Sequence, residues 1–433
     1  MGLPSGMKNN YNKLWKKNKM KGGIHVKRIG IISICILLLL TSCTPGEKEE
    51  EEIVQDVKEK KEMSIVPSYK LSKENYRMLL PYESGAARGV IVNQLANRVD
   101  IDEIEEGLRR HSKDYFDPET YIFREGQFLS AETVYGWLGR KLTEKQLEKE
   151  VQSEVKKLKE AQMTVNEEKI RNQLQQGINP PINNKNNAKE QKKNPKYLSH
   201  IVEQNYLITK DKQAKVAGIS IGLSMKSVYR FYTEDKEKKR TFHETDIPKD
   251  KILEVGKKNA QEILNRLRKM EGLENVPVMF AIYQEEDESS PVPGNFVAKT
   301  FVDKGQNEIG KWKSIKEKNV LFPSNEAEKH HVEESEVIKR FSNDVADYFP
   351  NYVGVIGKGF YINDELSKLV LDIPIEFYGK GEVLGFTQYV YGLAKELLSN
   401  NYHLEINIKS STQMESLIYR EAGKDDLNVH IFQ

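Results

Sequence analysis

The sequence predicts an α+β body with largely antiparallel sheets and packed helices, preceded by a short apolar leader. Three observations carry this expectation. Runs such as IVEQNYLIT (201–209) and KVAGISIGL (215–223) are rich in β-branched residues and partly alternate, which suits strands. Between such runs stand stretches with apolar residues at helical spacing. The strand and helix signals recur in one order in two parts of the C-terminal half, as a duplicated α+β unit would produce. The chain has 433 residues, 30% of them charged, which suits two or three domains.

The net charge of +2 conceals a division. Residues 1–42 hold eight basic residues (Lys8, Lys13, Lys16, Lys17, Lys19, Lys21, Lys27 and Arg28) and no acid. The remainder carries 59 basic against 65 acidic side chains, a net charge of −6. A body of that sign lacks the basic face that general nucleic-acid binding needs, so no nucleic-acid partner is expected. The two cysteines, Cys35 and Cys43, both precede the body, so no internal disulfide is expected there.

The leader is explicit. Lys27 and Arg28 precede IGIISICILLLLTS (29–42), a basic region followed by an apolar one. This run is shorter than the ~20 residues of a stable spanning helix. It ends in Leu40, Thr41, Ser42 and Cys43, the pattern of a bacterial lipobox read by signal peptidase II. The small residues let a peptidase close on the Ser42–Cys43 bond, and the Cys43 sulfur, as thiolate, accepts a diacylglyceryl group. Membrane lipid is therefore the expected partner of Cys43, at the outer face of the cell membrane, since two or more acyl chains anchor firmly. Residues 1–42 are read as signal peptide. Within them KGGIHV (21–26) resembles a ribosome-binding site translated in frame, so the natural start is expected at Val26. Residues 43–70 read as a flexible tether, because TPGEKEEEEIVQDVKEKKE has too few apolar groups to offset its ordering entropy.

Residues 71–176 form an expected N-terminal unit. Asp100 with Glu103 suggests a capping box before a helix carrying Ile101, Ile104 and Leu108. Ser130 suggests the cap of a second helix with Val134, Trp137 and Leu138 on its apolar side. Thr143 with Gln146 suggests another box. It opens one long polar helix over 143–176, with a thin stripe of Leu147, Val151, Val155 and Leu158. Residues 177–197, rich in Asn and Lys, read as a linker or long loop. Residues 198–433 read as the duplicated unit. The first copy has the two strands above, a helix over about 249–271 and a strand at 276–286. The second has strands 352–362 and 368–379, a helix over about 382–399, a strand at 403–411, and NVHIFQ.

Linear catalytic motifs are scarce. Asp100, Asp102, Glu103, Glu105 and Glu106 crowd together, and acids at a helix start are favoured by its dipole. His330 and His331 are adjacent, unlike the i, i+4 pair of a zinc helix, and His111, His200, His243 and His403 are scattered. Gly354, Gly357 and Gly359 lie between strand-like residues, which suits a bulge or hairpin rather than a phosphate loop. Gly379 and Gly381 mark a turn. No catalytic residue, metal ligand or cofactor is assigned.

Three long stretches carry a resemblance: LLPYESGAARGVIVNQLANRVDIDEIEEGL, YIFREGQFLSAETVYGWL and YLITKDKQAKVAGISIGLSMKSVYRF. With the leader, they resemble the CamS-type sex-pheromone lipoproteins of Gram-positive bacteria, over essentially the whole chain from about residue 26. The resemblance implies that the cleaved signal peptide is trimmed to an apolar pheromone. Here that peptide would be ILLLLTS, namely Ile36, Leu37, Leu38, Leu39, Leu40, Thr41 and Ser42. A peptide receptor with an apolar pocket is the partner so implied. For the mature body the leading expectation is an extracytoplasmic binding or interaction module, and the alternative is a cell-envelope hydrolase. Converging carboxylates would favour the hydrolase, and an open sheet face or groove the binder.

Overall fold

The computed structural model describes residues 51–55, 63–67, 71–90, 97–98, 100–210, 213–349, 354–377 and 379–432. Two sheets organise them. The larger runs, in spatial order, Lys313–Ser314, Asn295–Val302, Val278–Gln284, Gln213–Met225, Leu198–Lys210, Ile122–Glu125 and Arg77–Met78. The smaller runs Glu317–Phe322, Ile356–Ile362, Glu365–Pro374, His403–Lys409, Met414–Arg420 and Asn428–Ile431. Antiparallel pairs dominate, as expected for an α+β body.

The two sheets share a pairing sequence. Leu198–Lys210 and Gln213–Met225 form an antiparallel hairpin; helix Lys249–Leu267 then crosses to Val278–Gln284, parallel to the second strand; Asn295–Val302 returns antiparallel. Likewise Ile356–Ile362 and Glu365–Pro374 form a hairpin, helix Lys380–Leu397 crosses to the parallel His403–Lys409, and Met414–Arg420 returns antiparallel. A parallel neighbour needs a crossover of a dozen or more residues, and each helix supplies it.

The larger sheet is covered on both faces. Ile219, Ile221, Leu223, Val278, Phe280 and Ile282 pack with Ile252, Ile263, Leu264 and Leu267 of the crossover helix and with Val134, Trp137 and Leu138 of helix Ala131–Leu138. Met279, Ala281 and Tyr283, one residue out of step, face the other way and pack with Ile104 and Leu108 of helix Ile101–Ser112. Glycines let that helix sit close. A Cβ at Gly218 would lie 2.1 Å from the Phe116 ring, and one at Gly107 2.5 Å from Phe296. The smaller sheet buries one face only, under helices Val332–Tyr348 and Lys380–Leu397, through Leu369, Leu371, Ile373, Leu404, Ile406 and Ile408.

Several expectations need correction. The charged tether contains a strand: Glu51–Gln55 pairs with Met63–Val66 and, at Val54 and Gln55, with Gln213 and Ala214. The edge of the long hairpin offers it unpaired backbone groups. Asp100 does not cap its helix with its side chain. Its carboxylate instead takes the Arg98 guanidinium at 2.6 and 2.9 Å. The single helix over 143–176 is two, Glu144–Glu160 and Glu167–Leu174, with Gln162 left-handed at the break. Folding back buries Ile170 against the thin stripe of Leu147, Val151 and Val155. The 177–197 tract is packed rather than a loose linker. Asn179 is fully buried; its amide donates to the carbonyls of Leu138 and Leu198 and its oxygen accepts from Leu198 N–H. Nor does that tract separate two sheets, because Ile122–Glu125 pairs with Leu198–Lys210. The capping box at Thr143 and Gln146 and the cap at Ser130 are present as expected. The hairpin Val228–Glu234 with Arg240–Asp246 was not foreseen.

Candidate ligand cleft

The cleft begins with the segment PYESGAARG. Its turn points donors from three residues at one carboxylate. Gly85 N–H donates to Glu125 Oε2 at 2.6 Å, Arg88 Nε donates to the same oxygen at 3.0 Å, and the Tyr82 hydroxyl and a second Arg88 nitrogen reach Oε1. Gly89, at φ +87°, closes the turn in the left-handed region. Strand Ile122–Glu125 presents Glu125 at its end.

The next residues build a second carboxylate clamp. Glu203, on the neighbouring strand, accepts from the N–H groups of Gln127, Phe128 and Leu129 and from the Asn205 amide at 2.6 Å. Only glycine fits at 126, because a Cβ there would lie 2.5 Å from the Glu203 Cβ. Burial pushes the Glu203 carboxyl upward, against those four donors. Burial also opposes ionisation of Glu125, but Arg88, Tyr82 and Gly85 hold it below the usual carboxylate range.

Between these clamps and helix Ile101–Ser112 lies a cavity of about 320 Å³. Phe123, Leu129 and Val202 supply its apolar lining, and Glu105, Arg109 and Arg88 its charges. Arg88 approaches Glu105 at 3.8 Å. The Arg109 guanidinium sits 5.4 Å over the Phe123 ring and has no ion-pair partner among the described residues. His200 also lines the cavity, and burial keeps its imidazole toward the neutral form. Both clamped carboxylates are saturated with donors, so their present role is to hold the turns that shape the cleft.

The outer face of the smaller sheet is a second feature. Asp372 there accepts from Lys409 at 2.6 Å and Lys358 at 3.2 Å, and Glu405 pairs with Lys368 at 3.2 Å. Tyr419 and Ile356 share this exposed face.

The leader residues Ile36–Ser42 and Cys43 lie outside the described residues. Among the described residues no helix is long and apolar enough to cross a membrane, and no three His, Cys, Asp or Glu side chains are grouped to hold a metal. The acid cluster is spread around its helix: Asp100 on Arg98, Glu103 on Arg110, Glu105 near Arg88. His331 packs on Tyr361 at 4.1 Å. His111 lies at the junction of the sheets, 3.1 Å from Glu317. Gly357 and Gly359 are strand residues packed against Phe322, not a phosphate loop. Glu125 and Glu203 were missed from sequence; the glycines flanking each turn were the only hint.

A body of two sheets with these packed helices has the fold of solved bacterial pheromone-precursor proteins. The C-terminal domain of the sex pheromone staph-cAM373 precursor from Staphylococcus aureus is similar at 30% identity, with 77% of this chain and 96% of that one covered and a TM-score of 0.62. The sex pheromone precursor from Lactobacillus salivarius subsp. salivarius UCC118 is similar at 27% identity, with 84% and 98% covered and a TM-score of 0.70. Residues 82–426 match the family described as CamS sex pheromone cAM373 precursor, and the chain belongs to that family. No curated protein matches it.

Proposed function

We propose that this chain is a surface lipoprotein, anchored through acylated Cys43 at the outer face of a Gram-positive membrane, whose released signal peptide yields the pheromone ILLLLTS (36–42). The observation that carries the reading is the Leu40-Thr41-Ser42-Cys43 box at the end of a basic, then apolar, segment, in a chain whose body belongs to a pheromone-precursor family. Four leucines and no charged side chain suit a peptide that partitions through an envelope into an apolar receptor pocket. The mature body acts as a binding module. Support for binding over envelope hydrolysis comes from the cleft, where Glu125 and Glu203 are occupied by donors while Arg109 and an apolar lining remain available.

The test is the intact mass of the membrane-extracted protein, with fragmentation of its N-terminal peptide and a search for ILLLLTS in the medium. A chain beginning at diacylated Cys43 is expected, together with loss of membrane retention in Cys43→Ala. A chain retaining residues 27–42 overturns both the anchor and the pheromone.

A further inference from the structure

A second cavity of about 260 Å³ opens where the 185–196 connection meets the hairpin strand Val228–Glu234. Its charges divide into two kinds. Arg230 is committed to Glu244, Asp287 and Glu288, and the lining acid Glu234 to Arg240. Arg140, behind the wall, donates to the carbonyls of Pro180 and Asn194 and to the Tyr229 hydroxyl. Lys196 and Lys226 line the same cavity, yet neither ammonium has a hydrogen-bond or ion-pair partner among the described residues. Lys226 is only 8% exposed. Glu285, the carboxyl whose charge acts on Lys226, takes the hydroxyls of Ser199 and Ser224 on one oxygen and leaves the other unpartnered.

Fold stability does not explain this pair. Two like charges on one cavity repel each other, and a buried ammonium without a partner is destabilising. Burial lowers the affinity of both lysines for their protons; at Lys226 the charge of Glu285 opposes this and that of Lys196 adds to it, and at Lys196 the charge of Arg140 adds to it. Such a site gains most from a ligand that brings negative charge in. Lysines suit phosphate as point charges, and a phosphate monoester carries about −1.5 to −2 at neutral pH, close to the charge of two ammonium groups. One wall is aromatic: Tyr229 and Phe231 stack with their centroids 5.1 Å apart, and Gln191 accepts from the Tyr229 hydroxyl and holds that ring. A small planar or apolar body fits against it.

We propose that this cavity binds a phosphate monoester, its phosphoryl group between Lys196 and Lys226 and its organic part against Tyr229 and Phe231. The site is separate from the cleft between Glu125 and helix Ile101–Ser112. The test uses the full-length chain in detergent, titrated calorimetrically with phenyl phosphate, inorganic phosphate and benzoate at constant ionic strength. Phenyl phosphate is expected to bind at least about tenfold more tightly than benzoate. Binding tighter than inorganic phosphate assigns the aromatic wall to the organic part; equal binding supports the lysine pair but removes the wall from the proposal. Lys226→Met and Lys196→Met should each weaken phenyl phosphate at least tenfold. No heat with any phosphate, or undiminished affinity in the double variant, overturns the proposal.

Discussion

The two sheets pair their strands in the same sequence but meet their surroundings differently. In the larger, Val278–Gln284 reads VMFAIYQ and is buried at six consecutive positions. In the smaller, the corresponding His403–Lys409 reads HLEINIK, with Leu404, Ile406 and Ile408 inward and Glu405 and Lys409 toward the open face. The difference is a second helical layer. Helix Ile101–Ser112 lies over one sheet, where Gly218 and Gly107 leave room for close approach, and no described element lies over the salt-bridged face of Lys358, Asp372 and Lys409. A shared order of four strands therefore does not impose identical burial. A strand buried on both faces gives up alternation, whereas one buried on a single face keeps it.

The largest expected effect is on this contrast itself. Met279→Lys places an unpaired charge beneath helix Ile101–Ser112 and should cost about 3–5 kcal/mol in urea unfolding. Val370→Lys, on the outer face of the smaller sheet, should cost no more than about 1 kcal/mol. Equal losses would break the distinction between two-faced and one-faced sheets. Next, Gly218→Ala drives a methyl group toward the Phe116 ring and should cost about 1–3 kcal/mol. A neutral result would show that the helix can lift away without penalty.

The junction between the sheets gives a pH-dependent prediction. Glu317 lies 3.1 Å from both Arg110 and His111, and Lys299 Nζ donates to His111 Nδ1 at 3.2 Å. With Nδ1 accepting, His111 is neutral, and burial holds it so, although Glu317 pulls the other way. The unfolded chain takes up a proton near pH 6.5 before the folded chain does. Stability should therefore fall as pH drops below about 6.5. Glu317 adds to the loss at lower pH: although burial opposes its charge, His111 and Arg110 hold its carboxyl low, and its contribution disappears as it protonates. Thermal melts of His111→Gln should be flatter between pH 7 and 5.5 than those of the parent. An unchanged slope would remove His111 as the cause. The smallest effect belongs to the open face: Lys368→Ala removes its half-exposed pair with Glu405 and should change stability by about 0–1 kcal/mol.

Much of the smaller sheet was legible, since alternation marks one buried face and Val383, Phe386 and Val390 mark the crossover helix. The hairpin Val228–Glu234 with Arg240–Asp246 was not, because its second strand, RTFHETD, is mostly exposed and lacks an apolar pattern. The 177–197 tract was misread for a related reason. Its order comes from the buried amides of Asn179 and Gln191, which composition counts as polar and loop-like. The cleft was equally hidden. Glu125 and Glu203 are 78 positions apart on paired strands, and Glu203 meets the 127–129 backbone only after pairing.

By itself the sequence determined the α+β class, the family, and most strands and helices of the C-terminal half. These depend on local composition and on periods of two and 3.6, which survive in a linear text. Tertiary structure alone decided which sheet has both faces covered, which polar groups are clamped, and which two lysines share a cavity without a hydrogen-bond or ion-pair partner among the described residues. Those outcomes depend on groups far apart in the chain meeting in a water-poor interior, where hydrogen bonds and charges acquire the strength that fixes them.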